Sequence, residues 1–260
     1  MKMLKIISAN LLAEKPYNKY LSKNNVNQNL YLEIDFRYKL FVKTFSEHTA
    51  DIYFFQEVDD FWKNTIIEQI VPNGYTLLLA SCWSSSMAIV FKTAIFSDLK
   101  IEFVDGDAGI QAVSVLEGSS RLNFVNIHAR WGNAKEYIKQ YYNIFNSKEK
   151  LIIAGDFNID KSSDKPKDNM NKEFFNDLIK LCNLNELTSE IEFTARSVND
   201  ASKFEKLDLI LGKNLKLKNI EIHPKNILNL LPHKESLHFD KYDEKNHFSD
   251  HAMVLCEFLI

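Results

Sequence analysis

Six times along this chain a short apolar run meets, at one end, a polar residue that a buried strand cannot leave without a partner. Leu4 to Ala9 stops at Asn10, Ile52-Tyr53-Phe54-Phe55 at Gln56-Glu57, and Phe124-Val125-Asn126-Ile127 at His128. Leu151-Ile152-Ile153-Ala154 runs into Gly155-Asp156-Phe157-Asn158, Asp208 sits inside Leu207 to Leu211, and Ser249-Asp250-His251 stands just before Met253 to Phe258. Aromatic and β-branched content reads these runs as buried strands. Burying an unbonded polar side chain costs roughly 2–7 kcal/mol, so the strand ends are expected to converge and their side chains to bond or ligate. A lone Gly-Asp-Xaa-Asn would say little, because it also makes ordinary turns. Its place after four apolar residues gives it weight.

Leu30, Ile34, Phe41 or Val42, and Phe45 recur at helical spacing, and further helices are expected near 61–70, 133–146 and 172–182. Tyr75 to Ala80, Met87 to Phe91 and Ile110 to Leu116 read as hairpin strands. Hairpins mixed with crossover helices predict an α/β fold in which two mixed β-sheets pack face to face with helices outside, a four-layer αββα sandwich. One domain over residues 1–260 is expected. The polar stretch 212–247, with His223, His233, His238 and two prolines, is expected to be a surface insert at the site's rim; its histidine spacing fits no compact metal motif.

Composition narrows the class. Hydrophobic residues at 45% and charged residues at 26% are ordinary for globular proteins and argue against disorder or membrane spans. With Lys+Arg 32 against Asp+Glu 35 there is no overall positive field, which disfavours non-specific duplex binding. Cys82, Cys182 and Cys256 lack CxxC spacing and cannot all pair, which suits a reducing compartment. Met1 to Ile7 is too short an apolar stretch for a secretion signal, so a cytoplasmic monomer with no transmembrane segment is expected.

Asn10, Gln56-Glu57, His128, Gly155-Asp156-Phe157-Asn158, Leu207-Asp208 and Ser249-Asp250-His251, in that order from residue 4 to residue 258, resemble the endonuclease/exonuclease/phosphatase superfamily with its deoxyribonuclease I-like fold. The resemblance implies a hydrolase dependent on Mg²⁺ or Mn²⁺, since hard oxygen ligands around such an ion offset charge building up on a phosphorane. It implies Glu57 as principal metal carboxylate, with Asn10 beside it and Asp250 as a further metal-side acid. Asp156 would orient or deprotonate the attacking water, and Asn158, two residues on, would bond that water or a phosphate oxygen. His251 would contact the phosphate with Asp208 holding its other ring nitrogen, and His128 would lie near the leaving group. One departure stands out: where the family carries an acid partner for this second histidine, the chain has Ser84-Ser85-Ser86.

Within that superfamily a nuclease on DNA or RNA is the first expectation. Arg130-Trp131, Lys135, Lys139 and Arg196 offer cations and a stacking surface to a nucleic acid strand. A phosphatase or sphingomyelinase-like phospholipase acting on a phosphoinositide or lipid headgroup is the alternative. Lys206-Leu207-Asp208-Leu209-Ile210 lacks the Trp-Cys-Asp-Arg-Ile-like signature of the 5-phosphatases. An inactive binding module is the remote reading, because the expected metal and phosphate residues are all retained.

Overall fold

The alternation of side chains along each strand sorts them into layers. The computed structural model describes residues 3–13, 33–82, 85–95, 109–117, 120–129, 149–159, 166–196, 204–225, 248–249 and 251–259. In chain order its elements are β1 (Met3–Asn10), α1 (Glu33–Glu47), β2 (Ile52–Val58), α2 (Asp60–Gln69), β3 (Tyr75–Cys82), β4 (Ser85–Lys92), β5 (Ile110–Glu117), β6 (Ser120–His128) and β7 (Lys150–Asp156). They continue with α3 (Pro166–Cys182), β8 (Asn185–Glu186), β9 (Ala195–Arg196), β10 (Phe204–Glu205), β11 (Asp208–Lys213), β12 (Lys216–His223) and β13 (Met253–Leu259).

Two mixed sheets result, one of six strands ordered β12-β13-β1-β2-β4-β3 and one of five ordered β5-β6-β7-β11-β8. Each has one parallel pair at its heart, β1 with β2 and β6 with β7, so the carboxyl ends of four strands lie at one edge. Both β13, antiparallel to β1, and β11, antiparallel to β7, begin at that same edge.

Leu4, Ile6, Phe54, Phe124, Ile152, Ala154 and Ile210 fill the space between the sheets. Alternate positions face outward: Ile7, Ala9, Tyr53 and Phe55 pack under α1 and α2, whereas Val125, Ile127, Leu151 and Leu209 pack under α3. Three separate apolar clusters therefore fill the three spaces of a four-layer αββα sandwich, as the strand pattern predicted. Asp59 caps α2 by accepting from the Trp62 amide at 3.0 Å.

The stretch 212–247 is not simply a surface insert. Residues 216–223 form β12, an edge strand paired with β13, and Leu217, Ile220 and Ile222 pack against the inter-sheet core. A bulge between Leu217 and Asn219 interrupts the alternation there, and exposed Lys216, Lys218 and Asn219 hide the apolar face in the sequence. His223 ends this strand; His233 and His238 lie outside the described residues, as does the helix expected at 133–146. Helix α3 begins at Pro166 and not near 172, proline being well suited to a first turn.

Candidate active site

Every inward-facing series of side chains turns polar as it reaches the shared edge. Leu4, Ile6 and Ser8 lead to Asn10; Phe124 and Asn126 lead to His128; Ile152 and Ala154 lead to Asp156; and β11 opens on Asp208 before Ile210. Strand register then sets neighbours side by side, with His128 opposite Asp156, and Asp156 opposite Asp208. On β2 the same alternation would deliver Gln56 inward and turn Glu57 away. A register shift between Phe55 and Val58 changes that, and Glu57 takes a left-handed φ of 55°. For a residue with a Cβ this conformation costs roughly 1–2 kcal/mol, and such strain collects where a side chain must be aimed.

Aimed in this way, Glu57 meets its partners from three strands. The Asn10 amide nitrogen donates to Glu57 Oε1 at 3.2 Å and to Asp156 Oδ2 at 3.0 Å. Asn10 Oδ1 accepts from the Leu12 backbone N–H at 2.9 Å. Because a backbone N–H can only donate, that bond fixes which end of the amide faces the two acids. Glu57 Oε2 in turn accepts from Ala13 N at 3.0 Å. His128 Nε2 lies 3.7 Å from Glu57 Oε1 and 3.9 Å from Asp156 Oδ2. Glu57 and Asp156 are thus the acids beside this histidine.

Asp156 Oδ1 accepts from the Asn158 backbone at 2.8 Å, while the Asn158 side chain donates to Ala129 O at 3.0 Å. Asn158 has φ 50°, a left-handed conformation that asparagine tolerates better than most residues. Gly155 is required sterically: a Cβ there would stand 1.9 Å from Ile127 O and displace the strand that carries His128.

A second group lies beside the first. Asp208, fully buried, faces His251 Nδ1 at 2.9 Å through Oδ2. Burial pushes its carboxyl up to about 6; the charge and hydrogen bond of His251 work against that shift, and the negative charge of Asp156 adds to it. Thr194 organises this pair, its hydroxyl accepting from the amides of Leu207 and Asp208 and its carbonyl from Ala252 N. Next to it Ala195 bridges to His251. Ser249 Oγ ties the two groups together by donating to Asn10 O at 2.8 Å, and it accepts from His251 N at 3.2 Å.

Asn10, Glu57, His128, Asp156, Asn158, Asp208 and His251 are thus gathered at one edge between the sheets. Asp250 lies outside the described residues, as do Arg130, Trp131, Lys135 and Lys139; of Arg196 only the backbone, in β9, is described. Sequence reasoning passed over Arg37, Thr194 and a buried amide layer under the site. In that layer Gln56 Nε2 donates to Asn126 Oδ1 at 2.7 Å, and Asn126 Nδ2 donates to the carbonyls of Phe55 and Ala88. Asn126 was detectable, standing two residues before His128 and so on the same face. Arg37 and Thr194 were not, because their partners are distant backbone atoms.

Two face-packed sheets that gather acids, amides and histidines at one edge define a class of hydrolase fold. The chain belongs to the Endonuclease/Exonuclease/phosphatase family, whose model matches residues 25–251. No curated protein matches the sequence. Among solved structures, an AP endonuclease from Leishmania major aligns with a TM-score of 0.66 and 11% identity, covering 100% of this chain and 88% of its own. ANGEL2, a 2',3'-cyclic phosphatase, gives 0.65 at 17% identity over 98% and 95%. D. rerio TDP2 complexed with a single-strand DNA product gives 0.61 at 15% identity over 100% of both chains. The TM-scores show that the chain shares the fold of these structures. Among the described residues no helix is long and apolar enough to cross a membrane, which leaves β-barrels unaddressed.

Proposed function

We infer that the protein is a divalent-cation-dependent phosphodiesterase, and specifically a nuclease that hydrolyses DNA or RNA by in-line attack of water. The observation that carries this reading is the meeting of Asn10, Glu57, His128 and Asp156 beside a buried Asp208–His251 pair. Two of the similar structures, an AP endonuclease and a TDP2 holding a single-strand DNA product, favour a nucleic acid over other phosphoesters.

Among the described residues no three His, Cys, Asp or Glu side chains close into a metal shell. The donor chemistry nevertheless suits a hard cation. Glu57 keeps partial exposure, and each of its oxygens accepts one hydrogen bond, leaving lone pairs for a ligand. Glu57 would hold Mg²⁺ or Mn²⁺ together with Asp250, and Asn10, its amide nitrogen turned to the acids, would orient Glu57 from alongside. Such an ion, when bound, neutralises negative charge on the phosphate.

The chain's own groups supply the rest. Asp156, held by Asn10 and by the Asn158 amide, accepts a proton from the attacking water and sets its direction. Asn158 bonds the phosphate or that water. Asp208 holds Nδ1 of His251 and so sets the ring with Nε2 facing the phosphate. His128, beside Glu57 and Asp156, donates toward the leaving oxygen. Action as a monomer in the cytoplasm belongs to the same proposal.

The test is a panel of plasmid DNA, single-stranded RNA, abasic duplex, phosphoinositides and sphingomyelin, assayed with Mg²⁺ or Mn²⁺ and again with EDTA. Cleavage of a nucleic acid that EDTA abolishes is expected. Hydrolysis of a lipid alone would remove the nuclease reading in favour of a phosphatase or phospholipase. Turnover that survives EDTA would remove the cation.

A further inference from the structure

Arg37, on α1, is only 3% exposed, and its guanidinium donates to three backbone carbonyls on two separate loops. Nε reaches Phe248 O at 2.8 Å, and Nη2 reaches Leu11 O at 2.6 Å and Leu12 O at 2.7 Å. Those loops are the ones that leave β1 after Asn10 and that lead into Ser249, Asp250 and His251. Trp62 lies beneath the guanidinium, 5.0 Å from carbon to ring centroid, and its Nε1 donates to the same Leu12 O at 3.4 Å.

An independent observation shows what this clamp holds. Leu12 has φ 55°, a conformation that L residues with a Cβ adopt at a cost. Its N–H goes to Asn10 Oδ1, which fixes the amide's orientation, and the following Ala13 N–H goes to Glu57 Oε2. A relaxed Leu12 would turn both amides away and free Asn10 and Glu57 from the arrangement in which they meet. Strain of this kind persists only where surrounding groups over-determine it. Here those groups are the donors of Arg37 and Trp62 on the Leu12 carbonyl.

Resting on the functional reading above, the geometry points to Arg37 as a positioning residue for the cation-binding half of the site. It holds Leu12 in its left-handed turn, and through Asn10 and Ala13 it pre-orients Glu57. Lysine retains the charge but not the fork that spans two loops. Removing a partner that orients metal ligands typically lowers metal affinity or activity about 10–100-fold.

The experiment compares the full-length wild type with Arg37→Lys. Mn²⁺ affinity is read by electron paramagnetic resonance without substrate, folding by circular dichroism and melting, and kcat and KM on whichever substrate the panel identifies. The expected result is a folded variant whose Mn²⁺ affinity is about tenfold or more weaker and whose kcat falls, with KM within about threefold. A folded Arg37→Lys protein with wild-type Mn²⁺ affinity would overturn the assignment and leave the functional reading standing. A wild type that neither binds Mn²⁺ nor hydrolyses any phosphoester would overturn both. Should Arg37→Lys fail to fold, Trp62→Phe decides the matter, since it keeps an aromatic ring under the guanidinium and removes the indole donor to Leu12. A Mn²⁺ affinity about threefold weaker would support the clamp, and an unchanged one would refute it.

Discussion

The two halves of the site reach their geometry by different means. Around Asp208 and His251 the placement follows from regular structure: β11 pairs with β7 in unbroken register, Asp208 is sealed from water, and Thr194 satisfies the two amides that start the strand. Around Glu57 it follows from departures from regularity, with a bulge in β2, left-handed backbone at Leu12 and Glu57, and backbone amides aimed at side chains. Regular strand pairing and burial hold one half, at the expense of a carboxylate that resists ionising. Strain held by distant donors arranges the other. The difference fits the proposed chemistry, because a histidine's partner must stay dry, whereas a cation's ligand must be both aimed and reachable.

Asp156 stands between the halves, so its substitution should have the largest effect. It accepts from Asn10 on one side and lies opposite Asp208 on the other. In Asp156→Asn, kcat is expected to fall by on the order of 10³–10⁴-fold, the upper range for losing a positioned base. Its melting temperature should stay close to wild type, since the amide is isosteric and the charge that burdens Asp208 is gone. Near-native turnover would show that the halves do not meet at this residue.

Asp208→Asn comes next and separates burial from strain. The folded-state value of Asp208, about 6, lies above the ordinary carboxylate value of 3.8, so between these the folded protein binds more protons than the unfolded one. Stability assigned to this group is therefore present below about pH 4, declines as pH rises through about 6, and stays lost at neutral pH. Asparagine removes that loss. At pH 8 the variant should melt higher than wild type while kcat falls about 100-fold, since His251 no longer faces a charge. The gain in melting temperature should shrink as pH is lowered below about 5. A lower melting temperature at pH 8 would mean that the ionised Asp208–His251 pair stabilises the fold, and the contrast between the halves would collapse.

The legibility of the site in the sequence divides along the same line. Asn10, His128, Asp156 and Asp208 each continue an inward series of alternate residues, so the rule that places Ile6 or Ala154 in the core also places them at the edge. Glu57 is the exception that periodicity gets wrong. Its neighbour Gln56 has the inward parity, and only the bulge, together with the resemblance to a known family, singles out the acid. Edge strand β12 was hidden for the same physical reason, a bulge that shifts its apolar parity between Leu217 and Ile220. Arg37 leaves no local trace because the backbone carbonyls of Leu11, Leu12 and Phe248 that accept from it are remote in sequence. Periodic structure is readable from residue types, and its interruptions are readable only once the partners that hold them are known.

The smallest effect on catalysis is expected from Gln56, the residue with the correct parity that does not reach the chemistry. It is fully buried, donates to Asn126 at 2.7 Å, and its Oε1 finds no acceptor role among the described residues. Gln56→Met keeps the length and removes that orphaned oxygen, but it strips Asn126 Oδ1 of a donor inside the core. An unsatisfied buried acceptor costs about 1–3 kcal/mol, and loss of the glutamine's own unpaired oxygen offsets part of it. Melting should therefore drop by several degrees with kcat and KM within about threefold of wild type, because the bulge and the Ala13 amide, not the Gln56 side chain, aim Glu57. A kcat loss matching that of Asp208→Asn, in a variant that still melts cooperatively, would show that the amide layer positions Glu57 and that the strained half extends beneath the site into the core.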